Sequence, residues 1–226
     1  MEPRHARSYA DGKPCPLMRG VIHAICSICM VVSAGVQSDT ILSIALLCKA
    51  ATYTASAFFH MYSFETIQKL IWAFRVDLLF VPFAGYGHLV PFSASDQLYQ
   101  LQIFVAVLAL NTLLVWWQTE GQHLDLQTPP HKTDTPRIAI IATYAIWSMY
   151  RVGASTGYCA AWRVCPILWP PAVFLASRVS AEHYREPTAR WARWHVPHVW
   201  SFHEDLHLLV AITDVAWLFS LSHAIH

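Results

Sequence analysis

Seven apolar runs divide the chain, at about 20–36, 40–60, 76–92, 98–117, 137–153, 158–176 and 200–222. Each is close to the roughly 20 residues that a helix needs to cross a bilayer. The runs are too long for strands and show no strict alternation of polar and apolar positions. The pattern predicts an all-α, polytopic membrane protein, a bundle of seven transmembrane helices. One membrane domain, residues 20–226, follows a short polar segment, residues 1–19, that holds Arg4, Arg7, Lys13 and Arg19. A basic stretch before an apolar run also fits a signal peptide. With six more runs behind it, the first is expected to be a retained span. The fourth run ends in Trp116-Trp117, a pair suited to the membrane interface. Pro166, Pro170 and Pro171 interrupt the sixth, which should kink. There are no internal repeats and no second domain.

Composition agrees with this pattern. Of 226 residues, 55% are hydrophobic and 13% are charged, about half the roughly 25% of a soluble domain. The net charge of +1 gives no basis for binding nucleic acid. Six cysteines follow no disulfide-like spacing. Cys26 and Cys29 form a C-x-x-C inside an apolar run, where packing is the simpler role. The positive-inside rule sets the expected orientation. With the N-terminus cytoplasmic, every Lys and Arg except Lys49, Arg151 and Arg163 falls on the inner side. Seven crossings then leave His226 at an extracellular or lumenal C-terminus. The kind of membrane stays open.

The seventh run opens with Phe202-His-Glu-Asp-Leu-His207. His203 and His207 lie four residues apart, so on a helix they share one face, one turn apart. Such a pair can hold one ion, and zinc readily accepts imidazole nitrogen. Ser56 and His60 end the second run, and Asp77 begins the third. In the expected orientation all five groups fall at one depth, near the cytoplasmic face. Histidines scattered through a core would have no reason to agree in depth. The expected site is therefore zinc on His60, His203 and His207, with Asp77 and Ser56 beside it. Three neutral imidazoles leave a fourth tetrahedral position for water, and zinc lowers the pKa of such a water to about 7. A carboxylate such as Asp77 can orient that water and take its proton. A site in the inner leaflet favours lipid substrates, and hydrolysis of an amide-linked lipid, as in ceramide, is the concrete expectation.

At these residues the chain resembles the hemolysin-III / progestin-and-adipoQ-receptor (PAQR) family. The matching pieces are Arg19-Gly-Val-Ile-His23, Ser56-x-x-x-His60, Asp77 and Phe202-His-Glu-Asp-Leu-His-Leu-Leu-Val210. They run in order from about residue 17 to the C-terminus, while the fourth to sixth runs offer no matching motif. The family sits within a wider group that includes alkaline ceramidases. The resemblance implies a seven-helix bundle with its N-terminus inside and zinc on His60, His203 and His207. It implies that Asp77 holds the water on the metal and that Ser56 is a nearby polar partner. It also brings an alternative, a membrane receptor in which zinc is structural and ligand binding shifts the bundle. A lytic role, implied by the family name alone, has no amphipathic pore-forming stretch behind it.

Other readings of the same residues stay open. The zinc can be a closed structural ion that joins two helices, or the histidines can hold no metal. His203-Glu204-x-x-His207 also matches the H-E-x-x-H of metalloproteases, with Glu204 as base. Asp214 is then the candidate third ligand, but it lies seven residues past His207, about 10 Å along a helix. Lys49 precedes His60 by eleven residues and Asp214 follows His203 by eleven, which places both about 16 Å outward of the metal site. They can pair, or Lys49 can line a cavity and hold a lipid carboxylate. Arg151 and Arg163 are expected to snorkel to the outer surface, and His88 to sit at the outer interface. His23 is either a supporting neighbour of the metal site or simply buried. Arg190-Trp-Ala-Arg-Trp-His195 suits a segment lying on the inner membrane surface, or an ordinary basic loop.

Overall fold

The computed structural model describes residues 18, 20–62, 64, 66–92, 96–120, 135–155 and 202–224. Among them the regular elements are all helical. In chain order they are α1 (Val21–Val36), α2 (Thr40–Met61), α3 (Ile67–Leu89), α4 (Gln97–Thr119), α5 (Thr135–Ser155) and α6 (Phe202–Ala224), with a 3-10 turn at Val90–Phe92 after α3. The N-terminal segment up to residue 17, Arg19, the sixth apolar run and the basic-aromatic linker lie outside the described residues. Six of the seven expected helices are thus seen, α6 being the seventh run.

Three helices are long and apolar enough to cross a membrane: Thr40–Met61, Gln68–Phe92 and Gln97–Trp117. α1 is apolar but shorter, at 16 residues. α5 and α6 have the length, 21 and 23 residues, but are not among these three. Arg137 and Arg151 lie in α5, and Glu204, Asp205 and Asp214 in α6.

The bundle buries polar groups beside its apolar core and turns large apolar side chains outward. Lys49, Asn111, Glu204 and Ser220 are fully buried, while Ile28, Val36, Leu98, Leu113 and Phe219 are each more than half exposed. In water this pattern would be unstable. In lipid it is the expected one, because buried polar groups need protein partners and apolar side chains do not need shelter.

Local chemistry explains where the helices start. Asp39 caps α2, its carboxylate accepting the Leu42 N–H at 3.0 Å, and only residues 37–39 separate α1 from α2. Thr66 caps α3 in the same way, accepting from the Lys69 N–H at 3.3 Å. This start lies nine residues before the apolar run that predicted the helix, so Asp77 stands in its interior rather than at its beginning. The helix can extend through Arg75 because that side chain has partners. Its Nε donates to Thr119 Oγ1 at 2.8 Å, and its guanidinium lies 4.3 Å from the centre of the Trp116 ring.

α3 also contains Pro82, which has no N–H for the carbonyl of Leu78. Asn111 of α4 supplies the missing donor, its Nδ2 reaching Leu78 O at 3.0 Å. Two glycines on α3 permit close approach. A Cβ on Gly87 would stand 2.7 Å from the Ala45 carbonyl oxygen of α2, and one on Gly85 would stand 2.6 Å from the Tyr144 ring of α5. α2 and α3 thereby lie at the centre, with α1 against α2 and with α4 and α5 against α3. α6 packs beside α1, and its Trp217 and Leu221 join the core built by Leu46, Ala50 and Tyr53.

Candidate metal centre

Three helix ends converge at one end of the bundle. α1 begins there, α2 ends there after a short turn from α1, and α6 begins there. Each brings one histidine: His23 in the first turn of α1, His60 in the last turn of α2 and His207 in the second turn of α6. One ligating atom from each of the three lies within 4.8 Å of the others, close enough to hold one metal ion. The ring centres of His23 and His207 are 3.9 Å apart, and those of His60 and His207 are 5.8 Å apart. His23 and His60 are 5.9 Å apart and nearly parallel.

His23 and His60 are both buried, each 5% exposed. Both ring nitrogens of His23 are buried with no hydrogen-bond partner among the described residues. An unsatisfied buried polar atom is costly and calls for an explanation. A cation held among the three imidazoles would give those nitrogens a partner, so the residues fit a metal.

Of the five residues expected at the site, the structure joins His60 with His207 and Ser56 with Asp77. Ser56 is buried one turn before His60 and lies beside the Asp77 carboxylate. The Arg137 guanidinium of α5 is the cation that acts on the same carboxylate. The side chain of His203 lies outside the described residues, although its backbone belongs to the first turn of α6. Among the described residues the third imidazole is His23, read from sequence as either a supporting neighbour or a buried residue. The depth rule that grouped the others also covered it, since in the expected orientation it opens the first span at the same end.

A second polar cluster lies further along the same helices. Lys49 of α2 and Asp214 of α6 form a buried ion pair, as one of the two sequence readings expected. His88 of α3 completes the cluster, with Nε2 2.9 Å from Asp214 Oδ1 and 2.8 Å from Lys49 Nζ. Tyr53 donates its hydroxyl to Asp214 Oδ2 at 2.5 Å. Trp217 donates Nε1 to the His88 carbonyl at 3.0 Å, and its ring centre is 4.4 Å from Lys49 Nζ. Two expectations are corrected here. His88 is a member of this cluster rather than an interfacial residue. Asp214 is engaged by Lys49, His88 and Tyr53, which removes it as a metal ligand for the protease reading. His88 follows Asp77 by eleven residues, the same interval that separates Lys49 from His60, and this was the signal for it.

Arg151 departs from expectation as well. It does not simply snorkel, because its guanidinium pairs with the Asp96 carboxylate, to which Gln100 Nε2 also donates at 3.0 Å. Arg163 lies outside the described residues.

No family model matches the chain, and no curated protein matches it.

Proposed function

We propose that the chain is a zinc-dependent hydrolase of an amide-linked membrane lipid, ceramidase-like and of the hemolysin-III/PAQR type. The observation that carries this reading is the convergence of His23, His60 and His207 from three helices, with the ring nitrogens of His23 buried and unanswered. A donor set made of imidazoles favours zinc over calcium or magnesium, which prefer oxygen. A zinc ion there would supply an acidified water and a polarised carbonyl. The chain's own residues supply the rest. His23, His60 and His207 hold the ion as neutral imidazoles, with His203 one turn before His207 as a further candidate donor. Asp77 takes the proton from the attacking water and returns it to the leaving amine. Ser56, beside Asp77, is the neighbouring polar group that would help to orient its carboxylate. The apolar outer faces of α1, α2 and α6 leave a lipid free to approach sideways from the bilayer.

In the same reading the seven apolar runs all cross the membrane, the N-terminus is cytoplasmic and the site lies near the cytoplasmic face. The test uses the purified full chain in lipid nanodiscs. Metal analysis is expected to find one zinc per chain. Turnover of a ceramide is expected to vanish in His207→Ala and in Asp77→Asn, with the helical content unchanged. Only His207→Ala should lose the zinc. A chain without metal overturns the reading. Bound zinc with no turnover of any lipid amide or ester turns it into the receptor, where the metal is structural.

A further inference from the structure

The metal centre draws its ligands from α1, α2 and α6, so α6 must hold one height against the other two. Apolar side chains gain little from leaving lipid for one another, so polar contacts and close packing must set how membrane helices dock. Among the buried polar contacts of α6 are those of Asp214 and Trp217, one turn apart. Asp214 takes Lys49 and Tyr53 from α2 and His88 from α3. Trp217 takes the His88 carbonyl and lies against Lys49.

We propose that the Lys49–Asp214–His88–Tyr53 cluster is the pin that sets the axial register of α6, and thereby places His207 between His23 and His60. These are positioning residues, and the proposal rests on the metal reading above. The geometry is demanding. Asp214 follows His207 by seven residues, so both share a face about two turns apart, roughly 10 Å. A slip of α6 by one turn would move His207 by about 5.4 Å. That exceeds the 4.8 Å within which the three ligating atoms now lie. The same slip would leave Asp214 as a buried carboxylate away from its cations, which is why the register holds. Tyr53 extends the control to the first ligand. Its ring centre is 5.6 Å from that of His23, while its hydroxyl holds Asp214. One side chain thus touches both the pin and the metal centre.

The experiment measures zinc affinity of the full chain in nanodiscs by competition with a chromophoric chelator. Asp214→Asn and Lys49→Met are each expected to weaken zinc roughly tenfold or more, the scale seen when residues that orient ligands are removed. Tyr53→Phe keeps the ring and removes only the hydroxyl, and is expected to weaken zinc in the same direction. The double variant Lys49→Met/Asp214→Asn is expected to be no weaker than the worse single change, because one pin has been removed, not two. Asn111→Leu removes a buried polar contact between α3 and α4, far from α6, and is expected to bind zinc as the parent does. Parent-like zinc binding in the single variants, additive losses in the double, or an equal loss in Asn111→Leu would each overturn the pin.

Register is also read without metal. In a background without native cysteines, Leu47→Cys on α2 and Leu218→Cys on α6 carry spin labels. The distance between them, measured by pulsed EPR in zinc-free protein, is expected to change on adding Asp214→Asn. An unchanged distance overturns the pin. A changed distance in a chain whose parent binds no zinc overturns the metal reading alone.

Discussion

At one end of the bundle, both ring nitrogens of His23 are buried without a hydrogen-bond partner among the described residues. Further along α2 and α6, the carboxylate of Asp214 has three partners. Both clusters are made of ionisable side chains, and both draw on α2 and α6. They differ in whether the protein itself answers the polar atoms it has buried. A cluster whose charges and hydrogen bonds close on one another holds helices together and asks for nothing else. The ring nitrogens of His23 lack such an answer among the described residues, and a bound cation would give them one. The contrast teaches that ionisable groups within a membrane are not by themselves a sign of a ligand site. Their hydrogen-bond ledger decides.

The comparison can be broken at several points. Lys49→Met leaves Asp214 buried without its main cation and is expected to destabilise the fold by about 3–5 kcal/mol, read from thermal unfolding in a fixed detergent. Lys49→Met/Asp214→Leu removes both charges and should recover most of that loss. Failure to recover would mean that the pair does more than hold helices. His207→Ala should instead leave the metal-free fold nearly unchanged and lower zinc affinity by more than ~100-fold, about 2.7 kcal/mol. His23→Ala and His203→Ala sharpen the same point. A comparable loss in the first and not in the second assigns the third ligand to His23, and the reverse pattern assigns it to His203.

Smaller effects test the frame around the clusters. Gly87→Ala places a methyl group against Ala45 O and Lys49 Cγ. It is expected to cost about 1–3 kcal/mol, the range for overpacking, and to reduce unfolding temperature without changing zinc stoichiometry. Asn111→Leu leaves the Leu78 carbonyl without its donor beside Pro82 and should cost about 1–2 kcal/mol. Arg151→Met breaks the half-exposed pair with Asp96 and should cost under about 1 kcal/mol. A larger loss there would show that this pair is shielded from solvent.

Helix type and approximate position were legible in the sequence, because a run of about 20 apolar residues has few other uses. Charged residues near helix starts were harder. Arg75 read as loop because a lone cation does not advertise a partner, and its partners, Thr119 and Trp116, sit forty-odd residues away on α4. The same limit hid the Arg151–Asp96 pair. His60, His207, Ser56 and Asp77 were legible because helical spacing and membrane depth constrain them independently. His23 met the depth condition but had no second histidine at helical spacing, so sequence gave no reason to promote it. The Lys49–Asp214 pair was legible from matched intervals of eleven residues. The part played by His88 was visible only once its own interval was measured from Asp77.

The short turn at residues 37–39 makes α1 and α2 a hairpin, with His23 at one free tip and His60 at the other. If zinc binds as proposed, two of its ligands come from the first hairpin made and His207 from the last described helix. Two donors alone hold an ion weakly, so firm capture must wait for the final helix. In that reading a chain truncated before α6 is expected to hold the metal only weakly.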